Sequence, residues 1–318
     1  MWEKMSAVQL SPLVAACTAY GTSVLFFAAL RMRARVRVVV FVLLAVLVAL
    51  TPWMIPAEAR IARFIVAVYS CILVLKMWDL HLGAGRSVRP RLSEFLGFLA
   101  NLASLVHRRT GSERQPTPRK NGIKLFKSLV EVSLALLAFN ILLRLDWGST
   151  PFLVEHVLKA SAFFVGATAL FSALAAVARA LGGYAPEPMT RPLLARTPAD
   201  FWRRYNRWTG EWLREDLFRP IGGRRHPVPA TLAVFAVSGL LHEYVFSVAV
   251  GRVQGFQLAF FLMQGAAVVL TARVKPGRII GVGTTFAFNA LTSIMFFASV
   301  HGIAPFYEGG LPEWLWGA

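Results

Sequence analysis

Long apolar runs separated by shorter polar connections dominate the chain. A helix that crosses a bilayer needs about 20 mostly apolar residues, because each residue adds ~1.5 Å along the helix axis. Proline and glycine mark several ends: Pro52 and Pro56 close the second run, Gly182 follows the fifth and Pro227 precedes the sixth. The pattern predicts eight spans, at Leu10–Leu30, Val38–Ile55, Ile61–Leu80, Lys124–Leu143, Phe152–Leu181, Val228–Val250, Gln254–Ala272 and Ile279–Val300.

These runs predict an all-α fold, a polytopic membrane helix bundle of about eight transmembrane helices that forms one domain over residues 1–318. Of the 318 residues, 56% are hydrophobic and only 16% are charged, which is too apolar for one soluble core of this length. The same composition excludes a disordered chain, a collagen-like repeat and a small disulfide scaffold. The two cysteines, Cys17 and Cys71, lie inside apolar runs and predict no metal site.

The distribution of basic residues along the chain predicts its orientation in the membrane. Lys and Arg number 34 against 16 Asp and Glu, so the formal net charge is +18. Nucleic-acid binders can be equally basic, but membrane proteins collect Lys and Arg on the cytosolic side. With both termini outside the cytosol, 28 of the 34 basic residues fall on the cytosolic side. We therefore predict an integral, multi-pass protein of a bacterial inner membrane or the endoplasmic reticulum, surrounded by membrane lipids and binding no nucleic acid.

Two connections are too long to be simple turns. The first, residues 81–122, contains an amphipathic stretch, Leu92–Val106, that predicts an interfacial helix on the cytosolic side. The second, residues 183–227, begins with four prolines and continues as a stretch rich in aromatic residues and arginine. We expect one further interfacial helix there, because four residues recur at helical spacing: Trp202, Tyr205, Thr209 and Trp212.

The sixth run contains two adjacent ionisable residues, His242 and Glu243, about 20 Å from its cytosolic end by helix rise. Ionisable residues at such depth are costly and mark functional sites. A histidine can take up a proton near neutral pH, as a general base does, or it can be a structural residue that hydrogen-bonds a neighbouring helix. Ser238 lies one turn earlier on the same face. Glu243 points about 100° away, and we expect it to pair with Arg or Lys of another span.

Four further polar residues are candidates for binding. Asn206 stands among Trp and Tyr, where burial of its amide would require hydrogen-bond partners. Arg203 and Arg207 fit a solvated face of a membrane-surface helix, and equally a site for lipid headgroups or a phosphorylated coenzyme. Asn289 shares a face of the eighth run with Thr285 and Thr292. This face either lines a cavity or packs against a neighbouring helix.

Two short blocks of sequence, one ending at Asn206 and one containing His242, together resemble the membrane-bound O-acyltransferase superfamily, in its wax-synthase-like branch. Residues 201–206 read FWRRYN and are followed by LFRP at 217–220, and residues 238–243 read SGLLHE. The first block is similar to the family's FW-x-x-(W/Y)-N stretch, with Tyr205 in place of the commoner tryptophan, and the second to its SG-x-x-HE stretch. The order of the blocks and the 36 positions from Asn206 to His242 also agree with the family.

The resemblance implies transfer of a fatty acyl group from acyl-CoA to the hydroxyl of a long-chain alcohol or related lipid, inside a bundle that encloses a substrate tunnel. His242 would take the proton of the alcohol, and Asn206 would hold the thioester or donate to the developing oxyanion. Acyl-CoA is then a co-substrate, and no separate cofactor or metal ion is implied. The residues expected to bind the substrates are Trp202, Arg203, Tyr205, Arg207, Ser238, Glu243 and Asn289.

Two other functions stay open on the sequence alone. In a proton-coupled transporter or flippase, His242 and Glu243 would relay protons and the arginines would gather an anionic substrate. A lipid-binding scaffold would bind acyl-CoA without turnover. The acyl length, the acceptor and the oligomeric state are not fixed by the sequence.

Overall fold

The computed structural model describes residues 2–85 and 88–312, with side chains from residue 12 onward. Within these residues the fold is all-α, and no strand is present. One π-helical segment, Leu213–Phe218, follows the ninth helix. The helices are α1 (Trp2–Val24), α2 (Phe26–Ala29), α3 (Ala34–Leu50), α4 (Arg60–Gly85), α5 (Leu92–Ala100), α6 (Pro118–Arg144), α7 (Phe152–Ala180), α8 (Pro198–Arg204), α9 (Arg207–Trp212), α10 (Pro227–Val250), α11 (Phe256–Thr271) and α12 (Arg278–Ile303).

The predicted polytopic bundle is confirmed. In the described part of the chain, seven helical stretches are long and apolar enough to cross a membrane, and they match seven of the eight predicted spans. The exception is the predicted span Gln254–Ala272, where α11 has 16 residues. A helix of that length covers ~24 Å, less than the ~30 Å of a bilayer core. α11 is therefore the short member of the bundle.

Several helix ends fall where proline and glycine predict them. α3 ends just before Pro52, and α10 begins with Pro227 at its first position, where a missing N–H costs nothing. Gly182, with φ 81°, follows the end of α7, and Gly251, with φ 84°, follows α10. Both glycines adopt the left-handed backbone that commonly ends a helix, so these connections leave the spans sharply.

α10 is the helix that carries His242, and it lies against α4, α11 and α12. α6 and α7 form an adjacent pair, and α7 in turn contacts α12. The outer faces of α3 and α6 are apolar and exposed, which is the surface expected to face lipid. Large residues on these faces include Leu43, Leu47, Leu134 and Leu137.

The connection between α4 and α6 folds against the bundle instead of extending from it. Lys76 of α4 is fully buried, and its Nζ donates to the carbonyl oxygens of Phe98 at 2.5 Å, Leu99 at 3.2 Å and Asn101 at 2.5 Å. These carbonyls lie at the end of α5, where helix geometry leaves them without helical partners. A buried cation at a helix C-terminus also complements the helix dipole, so Lys76 holds α5 in place.

Candidate active site

His242 lies in the second half of α10, and one of its ring nitrogens is committed to the helix. Nδ1 is 2.8 Å from the backbone carbonyl oxygen of Ser238. A carbonyl oxygen only accepts hydrogen bonds, so Nδ1 carries the proton and donates it. In the neutral ring the lone pair is then on Nε2, for which no hydrogen bond is found among the described residues. His242 is thereby held in the tautomer that a general base requires.

Two aromatic rings fix the orientation of the imidazole. The ring of Phe261 in α11 lies 4.3 Å from that of His242, and the ring of Phe296 in α12 lies 6.4 Å away. His242 itself is partly buried. The imidazole is therefore positioned by three helices of the bundle, in surroundings with little competing polarity.

α8 packs one aromatic face against the spans. The ring of Trp202 lies 5.4 Å from that of Phe235 and 5.7 Å from that of Phe261. Phe235 is eight residues after the start of α10, or about 12 Å along the helix. Phe235 and His242 are seven positions apart and share a face. Trp202 therefore contacts the His242 face of α10 about two turns below His242, and Phe261 touches both residues.

A buried amide joins the elements around Trp202. Gln264 of α11 is 1% exposed, and its Oε1 accepts a 2.9 Å hydrogen bond from the indole N–H of Trp202. Its Nε2 donates to Thr292 Oγ1 at 2.8 Å and to Asn289 Oδ1 at 3.3 Å. The predicted residue Asn289 is thus brought into contact with the same network as Trp202. The network ties α8 to α11 and α12 beneath His242.

The Trp202 bond gives a stability prediction. We expect Trp202→Phe to lower the free energy of unfolding by about 1–3 kcal/mol, because a buried acceptor on Gln264 loses its donor. Thermal unfolding of the detergent-solubilised protein measures the change. Trp53→Phe is a matched control, since Trp53 is exposed. Equal unfolding temperatures for the two variants would contradict the role given to this hydrogen bond.

Asn206 breaks the helix that the sequence predicted between Trp202 and Trp212. Its φ is 41°, a left-handed value that few residues other than glycine adopt. The chain therefore forms two short helices, and the prediction of one continuous interfacial helix is wrong. Asn206 Oδ1 accepts from the N–H of Thr209 at 3.4 Å, while Nδ2 makes no hydrogen bond in the part of the chain that the structure describes. Asparagine is one of the few such residues, and the break leaves its side-chain amide donor without a hydrogen bond.

The residues flanking Asn206 are held by their own contacts. The ring of Tyr205 stacks on Phe164 of α7 at 5.5 Å and on Phe201 at 5.3 Å. Arg207 forms an ion pair with Glu113 and donates to a backbone carbonyl at 3.3 Å. Tyr205 thus packs α8 against α7, and Arg207 joins the two long connections.

Arg203 lies on the exposed side of α8, opposite the bundle. It forms a 2.6 Å ion pair with Asp200, which Arg204 also contacts at 2.9 Å. Burial alone would raise the pKa of Asp200, but hydrogen bonds from Arg204, Arg203 and the backbone of Arg196 outweigh it and lower the pKa to about 2. Asp200 is therefore ionised at neutral pH and anchors this end of the segment.

Glu243 binds backbone instead of a basic side chain, so the expected pairing with Arg or Lys is wrong. Its Oε1 accepts from the N–H groups of Gln254 at 2.8 Å and Gly255 at 2.6 Å. Its Oε2 accepts from Gln257 at 3.1 Å and Leu258 at 3.4 Å. These groups form the N-terminus of α11, which has unpaired N–H groups and a positive dipole end. Because α11 begins beside Glu243 and not at the end of α10, it is also shorter than predicted.

Three residues of this region were not recognised in the sequence. They are Phe261, Gln264 and His156. A lone amide in an otherwise apolar run is the signal that could have found Gln264. His156 of α7 is fully buried, with Nδ1 2.7 Å from Tyr307 Oη and Nε2 2.8 Å from the Ala290 carbonyl oxygen. Both nitrogens of His156 are engaged, so it joins α7 to α12 and has no nitrogen left for chemistry.

Fold and site together define a multi-pass integral membrane protein with a histidine positioned among its helices. Comparison with models of protein families identifies the family to which the chain belongs. The model of the membrane-bound O-acyltransferase family matches residues 25–303, so the chain belongs to that family. The match includes both blocks of the resemblance, at 201–220 and 238–243. A search of curated proteins found no match.

Proposed function

We propose that this membrane-bound O-acyltransferase moves a fatty acyl group from acyl-CoA to the hydroxyl of a long-chain alcohol or related lipid, as a wax-ester synthase does. The observation that carries the proposal is the state of His242. Its Nδ1 is bound to the Ser238 carbonyl oxygen, and its Nε2 is left as the basic nitrogen. Membership of the family indicates O-acyl transfer. The identity of the acyl donor, the identity of the alcohol and the wax-synthase-like branch are our inference.

The chemistry is a direct transfer without an acyl-enzyme. The alcohol oxygen attacks the thioester carbonyl while Nε2 of His242 takes the hydroxyl proton. The tetrahedral intermediate then expels the CoA thiolate, and the imidazolium of His242 donates the proton to the thiolate sulfur. The hydrogen bond from Nδ1 to Ser238 is retained in both protonation states, and the Ser238 carbonyl oxygen favours the imidazolium that forms.

Asn206 is the proposed donor to the oxyanion, through Nδ2. A preorganised amide donor stabilises negative charge as it develops on the carbonyl oxygen. One feature supports this role: Nδ2 makes no hydrogen bond to a described residue, whereas Oδ1 is occupied by the N–H of Thr209. The packing of α8 beside the His242 face of α10 supports the approach of the two residues to one substrate. The tunnel that would join them stays a prediction.

The long connection before α10 supports a coenzyme with phosphate groups. Its basic residues would attract the anionic donor to the mouth of the bundle, and the effect would weaken with salt. Seven arginines in this connection are exposed: Arg191, Arg196, Arg203, Arg214, Arg219, Arg224 and Arg225. Placing this face in the cytosol remains a prediction from the distribution of charge.

An alcohol-dependent assay tests the proposal directly. Membranes or purified protein are given radiolabelled palmitoyl-CoA and a series of 1-alkanols, and labelled ester and free CoA are measured together. We expect ester and CoA in equal amounts and no ester without alcohol. CoA release that does not depend on alcohol would contradict the assigned acceptor. Uptake of protons into vesicles without consumption of acyl-CoA would indicate a transporter instead.

Asn206 gives a second kinetic prediction. Asn206→Asp keeps the cap acceptor and tolerates the left-handed backbone, but it replaces the amide donor with an acceptor. We expect turnover to fall ~10²–10³-fold, the usual cost of losing one oxyanion donor. Asn206→Gly removes the whole side chain at a position where glycine suits φ, and should show a similar fall. Turnover near the wild-type rate in both folded variants would exclude the role.

A further inference from the structure

A strap of irregular chain, residues 185–190, lies between α7 and α8. It contains Pro186 and Pro188, whose rings fix the backbone angle φ and stiffen the segment. The carbonyl oxygen of Pro186 accepts from the indole N–H of Trp208 at 2.9 Å, and that of Pro188 accepts from the backbone N–H of Arg207 at 2.8 Å. The strap is therefore a stiff segment bonded to the first two residues of α9.

The strap also holds the chain on the other side of Asn206. The N–H of Thr190 donates to the carbonyl oxygen of Arg204 at 2.9 Å. Arg204 ends α8 and Arg207 begins α9, so the strap is bonded to the last residue of one helix and to the first residue of the next. Asn206, with φ 41°, lies between these two bonds. The position of the strap therefore sets the position of the left-handed turn at Asn206.

One carboxylate fastens the strap to two spans. Glu187 accepts from the guanidinium of Arg179 in α7 at 2.7 Å and from the ammonium group of Lys124 in α6. The side chain of Arg179 is only 5% exposed, so water competes weakly for its pairing with the acid. Arg179 also donates to the carbonyl oxygen of Ala185 at 2.8 Å, and the carbonyl oxygen of Glu187 accepts from Arg207 at 3.3 Å. Glu187 thus joins α6 and α7 to the chain beside Asn206.

We propose that Glu187 is a positioning residue for Asn206. Its carboxylate fastens the strap to α6 and α7, and the strap fixes the turn that carries the Asn206 amide. A donor already in place stabilises an oxyanion without reorganisation, and a displacement of about 1 Å can cost ~10²-fold in rate. The effect on transfer rests on the proposed function, whereas the effect on the turn rests on the hydrogen bonds alone.

Hydrogen–deuterium exchange of the full-length protein in detergent tests the effect on the turn. Glu187→Gln keeps the size of the side chain and removes the charge that binds Arg179 and Lys124. We expect the N–H groups of Thr190 and Arg207 to exchange roughly 3–10-fold faster, because both lie in bonds between the strap and the turn. Unchanged exchange at both positions would overturn the proposal.

Glu215→Gln is the matched control. Glu215 lies in the same long connection and also accepts from two basic side chains, those of Arg109 and Arg219. Its replacement changes the net charge by the same amount as Glu187→Gln. Glu215 makes no hydrogen bond to the strap among the described residues, so exchange at Thr190 and Arg207 should stay at the wild-type rate.

Kinetics test whether the turn serves transfer. Glu187→Gln should lower kcat ~10-fold and leave KM for acyl-CoA and alcohol near the wild-type values, because the donor acts mainly in the transition state. Glu187→Asp keeps the carboxylate and should restore part of kcat, and Glu215→Gln should leave kcat unchanged. A change confined to KM, or a normal kcat beside faster exchange in Glu187→Gln, would overturn the positioning role.

A double variant separates this proposal from the proposed function. In an Asn206→Gly protein, Glu187→Gln should lower kcat no further, because the donor that Glu187 positions is already absent. Additive losses would overturn the positioning role and leave Asn206 as the donor. Wild-type turnover in Asn206→Gly alone would remove the proposed donor, and the exchange experiment would still decide whether Glu187 holds the turn.

Discussion

Replacing His242 with alanine should lower acyl transfer ~10²–10⁴-fold, the contribution usual for a general base. The structure gives the reason: Ser238 holds the proton on Nδ1, so Nε2 is the one ring nitrogen able to accept the proton of a hydroxyl. Alanine removes the base and leaves the hydroxyl without an acceptor for its proton. The measurement is the rate of labelled ester formation at saturating acyl-CoA and alcohol, per amount of folded protein.

The controls for His242 separate chemistry from folding. Imidazole added to His242→Ala should restore part of the rate, because a free base can enter the space left by the ring. His226→Ala is the matched control, since His226 is exposed at the start of α10 and should leave the rate unchanged. Undiminished transfer by a well-expressed His242→Ala protein would exclude the role as base.

Much of the fold could be predicted because membrane spans are local features. Run length sets the span, and residues such as Pro227 and Gly182 set its ends without reference to the rest of the chain. His242 could likewise be found from its own position, since an ionisable residue inside an apolar run is conspicuous. Its tautomer depends on Ser238 four residues earlier, which is also local.

What could not be predicted depends on contacts between distant segments. The aromatic spacing between Trp202 and Trp212 fits one helix, but the break at Asn206 is a backbone conformation that spacing does not reveal. Trp202 packs against the bundle, where its indole N–H donates to Gln264, 62 positions away in the sequence. An amphipathic pattern reports which face is apolar, and whether that face meets lipid or protein depends on the other helices.

Glu243 shows the same limit and gives the largest expected effect on stability. Sequence reasoning expected a basic partner, whereas its carboxylate accepts four backbone N–H groups, two in the first turn of α11 and two just before it. We expect Glu243→Ala to lower the free energy of unfolding by about 3 kcal/mol or more, because several buried donors lose their acceptor together. Thermal unfolding in detergent measures this, and reduced accumulation in membranes should accompany it.

Glu243→Gln tests whether the charge or the shape matters. The amide keeps one oxygen, but its NH₂ group would face N–H donors such as those of Gln257 and Leu258, so this variant should also be strongly destabilised. Ser247→Ala is a matched control, because Ser247 donates to the same carboxylate only at 3.4 Å. Below the lowered melting temperature, KM for acyl-CoA and alcohol should be unchanged, since both oxygens of Glu243 already accept backbone N–H groups. A raised KM with normal thermal stability would mean that Glu243 contacts substrate after all, as the sequence had suggested.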